Sequence, residues 1–151
     1  MLYSYMCTIK EMRERLRSLS ESLIDLAAES IQNIDVEEDI IDLNRSQLYE
    51  DGIDSKSKKL HTYRSNHYRD YKYEIRSREI TDLFLTGQFQ RNFYIKIDGS
   101  EYGFSSTDYK TQKLIDNYGE NIFGLTEQNK INAHYIFRPI LLEKIRIKLQ
   151  L

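Results

Sequence analysis

At 151 residues the chain is long enough for one hydrophobic core and too short for two. Hydrophobic residues make up 40% of it and charged residues 30%, so a modest core and a large surface are expected, as in a subunit that completes its burial in an oligomer. A formal net charge of −2 singles out no partner, one cysteine (Cys7) excludes an internal disulfide and a zinc finger built on cysteine pairs, and no apolar run approaches the ~18 residues of a membrane span.

Charge is unevenly spread. Between Asp35 and Asp51 seven acidic residues stand against one base, Arg45; between Ser55 and Glu79 eight basic residues stand against three acids. Opposed blocks of this kind can pair within one chain or between neighbouring subunits. The start, Met1 to Lys10, lacks the apolar core and small-residue cleavage site of a signal peptide, and Cys7, near a terminus, is not expected to be a nucleophile.

In chain order, Ile9, Met12, Leu16, Leu19, Leu23 and Leu26 recur at steps of three and four and predict an amphipathic helix over 8–33. Thr8 is its N-cap, with Glu11 completing a capping box. The stripe is close to a heptad, and two readings stay open: a helix packed on its own sheet, or one that also packs on neighbouring subunits. A second helix is expected over 35–50, with Asp35 as N-cap, Glu38 at the matching position and Asp51-Gly52 as its end. Residues 53–79 show no clean period and read as an extended basic arm or loop. Tyr71, Tyr73 and Ile75 alternate at its end as an edge strand would.

Phe89, Phe93, Ile95 and Ile97 then alternate as a strand, Asp98-Gly99 signals a hairpin, and a second strand follows from Glu101 to Ser106. A short helix runs from Lys110 to Tyr118 and is capped by Gly119. The last helix, from Thr126 to Leu149, should be kinked or split by Pro139. The expected fold class is α+β in a single domain, 1–151: a long N-terminal helix, a small antiparallel sheet of three or four strands within 80–150, and C-terminal helices.

Signatures of chemistry are missing. There is no G-x-x-x-x-G-K-[ST], G-x-G-x-x-G, H-E-x-x-H or G-x-S-x-G. His61 and His67 lie among Lys58, Lys59, Arg64 and Arg69, which repel a cation. His134 reads as a packed or surface histidine. The acids of VEEDIID lack the alternating ligands and central glycine of a calcium loop. No catalytic residue, cofactor or metal is expected, and the chain is not expected to be an enzyme. The residues best suited to direct contact are Lys58, Lys59, Tyr63, Arg64, Tyr68, Arg69, Tyr71 and Tyr73. Their bases can meet phosphates while their rings stack on nucleobases. The same set suits a protein interface, where Tyr and Arg are enriched, and it equally suits a polar loop with no partner.

The stretch DLFLTGQFQRNFYIKI, Asp82 to Ile97, resembles the tail-completion and head–tail connector (neck) proteins of tailed phages. There a Thr-Gly step precedes a short amphipathic segment that runs into a strand; here the step is Thr86-Gly87, followed by Phe89, Phe93 and Ile95. The hairpin has its counterpart in EYGFSSTD, the glycine beside an aromatic in Tyr118-Gly119, and an Arg-Pro element in Arg138-Pro139. The likeness covers residues 80–150; Arg91-Asn92 stands where many relatives carry Arg-Ser, and the basic segment 55–79 lies outside it. The resemblance implies a non-enzymatic ring subunit of a virion, assembled in the bacterial host cytoplasm. Its implied partners are copies of itself and portal, adaptor or tail proteins, with weak non-specific contact to channel DNA and none to a membrane. Thr86, Gly87, Phe89 and Gly119 would be its structural motif. The rival reading is a small nucleic-acid-binding accessory protein that uses residues 55–79.

Overall fold

The structure, a computed structural model, describes residues 8–77 and 79–150; Cys7 and Arg78 lie outside the described residues. Helix α1 (Ile9–Ile31) begins at the expected capping box, in which the Thr8 hydroxyl accepts from the Glu11 amide at 3.2 Å and the Glu11 carboxylate accepts from the Thr8 amide at 2.7 Å. Helix α2 (Ile34–Ser46) starts earlier than Asp35 would have it. Asn33 is the cap, its side chain accepting from the Asp35 and Val36 amides, and Asp35 falls in the first turn, where an acid favours the helix dipole. A π-helical turn, Gln47–Asp51, extends α2 and closes on Gly52 in the left-handed conformation.

Residues 53–65 form a loop, and then the expectation of an extended arm fails: Asn66–Arg76 is a helix, α3. Ser65 caps it, its hydroxyl accepting from the Tyr68 amide. The Tyr71, Tyr73, Ile75 alternation is therefore not a strand. The described residues hold a sheet of two strands, not three or four. After the short helix α4 (Gln88–Arg91), strand β1 (Phe93–Asp98) pairs antiparallel with β2 (Glu101–Ser106), with Phe93 opposite Ser106, Ile95 opposite Phe104 and Ile97 opposite Tyr102. The turn lies between Asp98 and Glu101, so Gly99 leads the loop, one residue later than Asp98-Gly99 implies. Helix α5 (Thr111–Tyr118), a 3₁₀ turn (Glu120–Ile122) and helix α6 (Glu127–Leu149, capped by Thr126) complete the chain. Pro139 does not split α6. It removes the donor for the Tyr135 carbonyl, but both residues are exposed, where water can replace that bond.

The core has two parts that meet at the hairpin. Ile41, Leu48, Leu83, Phe89, Phe93 and Ile122 form one; Ile31, Val36, Ile40, Leu125 and Ala133 form the other, and Ile95 and Phe104 pack on both. Buried polar side chains tie the connector 122–126 to α2. Asn44 Nδ2 donates to the carbonyls of Ile122 (3.2 Å) and Gly124 (3.0 Å), and Gln47 bridges the Gly124 carbonyl and the Thr126 amide. No described helix is long and apolar enough to cross a membrane.

Candidate functional site

A cleft of about 720 Å³ opens where three sequence-distant segments converge. The loop before α3 and the first turns of that helix supply His61, Tyr63, Arg64 and Tyr68. The second wall is Leu83, Leu85, Thr86, Gly87 and Phe89, and the third is Tyr109, Lys110, Lys113, Leu114 and Tyr118 of α5 and its approach. The basic–aromatic segment and the Thr86-Gly87 step thus face each other across one space.

What shapes this cleft lies behind it. Asp82 is buried, accepts from Tyr63 Oη (3.1 Å), Arg76 Nε (3.1 Å) and the Phe84 amide (3.0 Å), and pairs as an ion with Lys72 Nζ (3.3 Å). Lys72 also donates to the Phe84 carbonyl, and Gln90 Nε2 to the Asp82 carbonyl at 3.1 Å. The Arg76 guanidinium lies over the Tyr49 ring, 4.1 Å from its centroid. A buried carboxylate without such partners would be costly; here each oxygen is met by cations and dipoles. The network fixes the chain on both sides of Leu83, which holds a left-handed φ of +52° at the cleft floor. For a bulky residue that conformation costs about 1–3 kcal/mol and persists only where the surroundings over-determine it.

The far wall is set by the hairpin. Ser106 Oγ donates to the Phe89 carbonyl (2.9 Å) and accepts from the Asp108 amide (3.2 Å), and the Asp108 carboxylate accepts from the Lys110 amide (2.7 Å). This chain of bonds fixes the approach to α5, whose Lys110 and Lys113 line the cleft. Tyr118 stacks on His61, centroids 4.5 Å apart, and His61 Nε2 lies 2.6 Å from the Asn117 carbonyl oxygen, closing one end.

Gly87 takes φ +76°, as the Thr-Gly step suggests, and a Cβ there would stand 2.9 Å from Phe84 Cε2. Phe89 is buried against Phe93 and Phe123. Gly119 follows α5 at φ +85°. Lys58 and Lys59 sit apart from the cleft on the tight loop that Asp54 closes by accepting from the Lys56 and Lys58 amides. Arg69 pairs with Asp70 and Asn66 on the exposed side of α3. Tyr71 is exposed outside the cleft, and Tyr73 is half-buried behind Tyr63, ring to ring at 6.4 Å.

Sequence reasoning missed Asp82 as the hub, and it missed Tyr109, Lys110, Lys113 and Tyr118. Lys110 and Lys113, one helical turn apart at the start of α5, are the signal that was there to find.

Electrostatically the cleft is cationic at its rim and apolar at its floor, and among the described residues no Asp or Glu lines it. Burial pushes the Tyr118 phenol up to about 12. It also raises Tyr63 and Tyr68, with the Asp82 charge adding to both. These hydroxyls are therefore protonated donors at neutral pH. The arrangement can hold a segment or ligand that offers an apolar or aromatic group and an anionic or carbonyl oxygen. Among the described residues no three or more of His, Cys, Asp and Glu gather to hold a metal ion.

Compared with protein-family models, with curated proteins and with solved structures, the chain matches none of them.

Proposed function

We propose that the chain is a non-enzymatic structural protein of a phage particle, a ring subunit that joins head to tail or completes the tail, and that the cleft receives a segment of a neighbouring protein. One observation carries this reading. The Thr86-Gly87 segment on which the resemblance rests and the basic–aromatic segment form opposite walls of one cleft, over a strained Leu83 that a buried ionic network holds in place.

Residues 55–79 supply less to nucleic acid than their composition suggests. Lys72 and Arg76 are committed to Asp82, Arg69 to Asp70, and Tyr63 is buried. A duplex tracked by this segment would still meet four exposed cations, Lys56, Lys58, Lys59 and Arg64, but only one exposed tyrosine of the segment, Tyr71, whereas a peptide in the cleft would meet the phenols, Arg64, Lys110 and Lys113 together. The nucleic-acid reading keeps those same three rim cations in its favour.

The test is whether the protein is a stoichiometric component of purified particles from the host that makes it. Its absence from them overturns the structural role.

A further inference from the structure

The cleft holds charge that the chain around it does not use. Arg64 stands on the wall before α3, Lys110 and Lys113 on the wall of α5, and among the described residues none of the three forms an ion pair. Lys110 Nζ lies over the Tyr109 ring, 5.2 Å from its centroid. The acids nearest in the chain do not answer them. Asp70 pairs with Arg69, and Asp82 is held behind the floor by Lys72 and Arg76. The Asp108 carboxylate accepts from the Lys110 amide and that of Asp116 from Gln112 Nε2; both acids keep their charge, but neither lines the cleft.

Between the cations the surface is apolar. Leu83, Phe89 and Leu114 line the floor, and two large side chains that also line the cleft are left to water, Leu85 at 48% and Tyr109 at 81% exposed. Tyr68 and Tyr118 line it too, and neither hydroxyl has a hydrogen-bond partner among the described residues. Unpaired cations, exposed apolar side chains and free donors in one space describe the group that fits there: a ring for the floor, and negatively charged acceptor oxygens for the rim.

A duplex does not offer that combination, because its bases are stacked inside its phosphates. An extended peptide offers it within three residues. Successive side chains point to opposite faces, so an aromatic residue turned to the floor leaves the residues on either side of it turned to the rim. Rings already line the space, and an added ring packs on them edge to face or offset.

We infer that the segment received by the cleft is acidic, with an aromatic side chain seated on the apolar floor and a carboxylate on each side of it, one drawn to Arg64 and the other to Lys110 and Lys113. The inference rests on the reading that the cleft takes a segment of a neighbouring protein, and it adds the chemistry of that segment.

Fluorescence anisotropy of labelled peptides with the full chain tests it. The probe is GDEFEDG. One control, GNQFQNG, keeps the ring and loses the charge; the other, GDEAEDG, keeps the charge and loses the ring. The probe should bind about tenfold or more tightly than either control, and added salt should narrow its lead over the uncharged one. Lys110→Glu with Lys113→Glu and, on the opposite wall, Arg64→Glu should each weaken the probe by about tenfold, whereas Lys58→Glu with Lys59→Glu, outside the cleft, should change it by less than about twofold. Circular dichroism checks that the variants fold; if the α5 pair does not, Arg64→Glu, at an exposed position, decides. Equal binding of the three peptides overturns the inference, and so does an equal loss in the Lys58 and Lys59 variant. A short strand of thymidines that binds more tightly than the probe and displaces it overturns it in favour of nucleic acid. Purified particles that contain the protein, with a cleft that shows no preference for the probe, would sink the acidic segment and leave the structural role standing. A protein missing from particles that does prefer the probe would do the reverse.

Discussion

The ammonium of Lys72 stands 3.3 Å from the carboxylate of Asp82, with 3% and 4% of the two side chains left to water. Around this pair the chain turns from α3 into the Thr86-Gly87 step, and from it hang the Tyr63 hydroxyl, Arg76 and the backbone of Phe84. The cleft has its shape because this pair is satisfied.

Lys72→Met should therefore be among the most damaging single changes. It leaves the buried carboxylate to Arg76 alone of its two cations, and breaking a buried pair from one side costs about 3–5 kcal/mol. K72M with D82N should cost clearly less than the two single changes added together, because the double variant buries no unpaired charge. Urea unfolding of the three proteins measures both quantities. Additive costs would mean that the two residues act separately.

The two motif glycines should separate in the same kind of measurement. Both need positive φ, at +76° for Gly87 and +85° for Gly119, but a Cβ at Gly87 meets the Phe84 ring at 2.9 Å while one at Gly119 meets nothing within 4 Å. Gly119→Ala should cost backbone strain alone, about 1–3 kcal/mol because φ +85° with ψ 165° is a region kept by glycine, and Gly87→Val should add displacement of the Phe84 ring to its own strain. Equal melting temperatures for Gly87→Val and wild type would show that the Thr-Gly step has no structural role.

Alkaline pH should expose the buried phenols. Burial pushes Tyr118 up to about 12 from an ordinary 10.0, and it raises Tyr63 as well. Such a group keeps its proton longer in the folded than in the unfolded chain. Its contribution to stability is complete below pH 10, the unfolded value, and is lost as pH climbs through that value towards the folded one. Stability measured by denaturant should fall above pH 10, and Tyr118→Phe, which keeps the ring, should make that fall shallower. An identical alkaline limb in the variant would count against the burial of this hydroxyl.

How far the sequence could be read depended on whether the signal was local. The Thr8–Glu11 box, the Thr126 cap and the hairpin after Ile97 are each contained in a few residues, and the structure has all of them. α3 was illegible because its inward face is charged. Lys72 and Arg76, one turn apart, point at Asp82, a residue outside the helix, while the apolar stripe that the helix does have, Tyr68, Tyr71 and Ile75, is largely left exposed, so the usual period did not mark the buried face. Tyr71, Tyr73 and Ile75 also fall at alternate positions, and that invited a strand. The cleft was half legible: Tyr63, Arg64, Tyr68 and the Thr86-Gly87 wall stood out, but the wall from α5 depends on a packing that nothing local announces.

DNA binding should be weak and should come from the rim. If Arg64, Lys110 and Lys113 touch phosphates, changing all three to Ala should flatten the slope of log affinity against log salt by about 0.9 for each duplex phosphate that is no longer neutralised. Changing Lys58 and Lys59, which lie outside the cleft, should matter less. Tight, salt-sensitive binding of short DNA by the wild type, abolished by the three alanines, would favour the accessory-protein reading.

The most direct test of the cleft as an assembly site is cross-linking mass spectrometry on purified particles. Lys110 and Lys113, at the mouth, should link to one neighbouring virion protein, and Tyr68→Ala with Lys113→Glu should lower the protein's incorporation while leaving its melting temperature within a few degrees of wild type. Particles that contain the protein but give no link from either lysine, and that take up the double variant as well as wild type, would contradict the account.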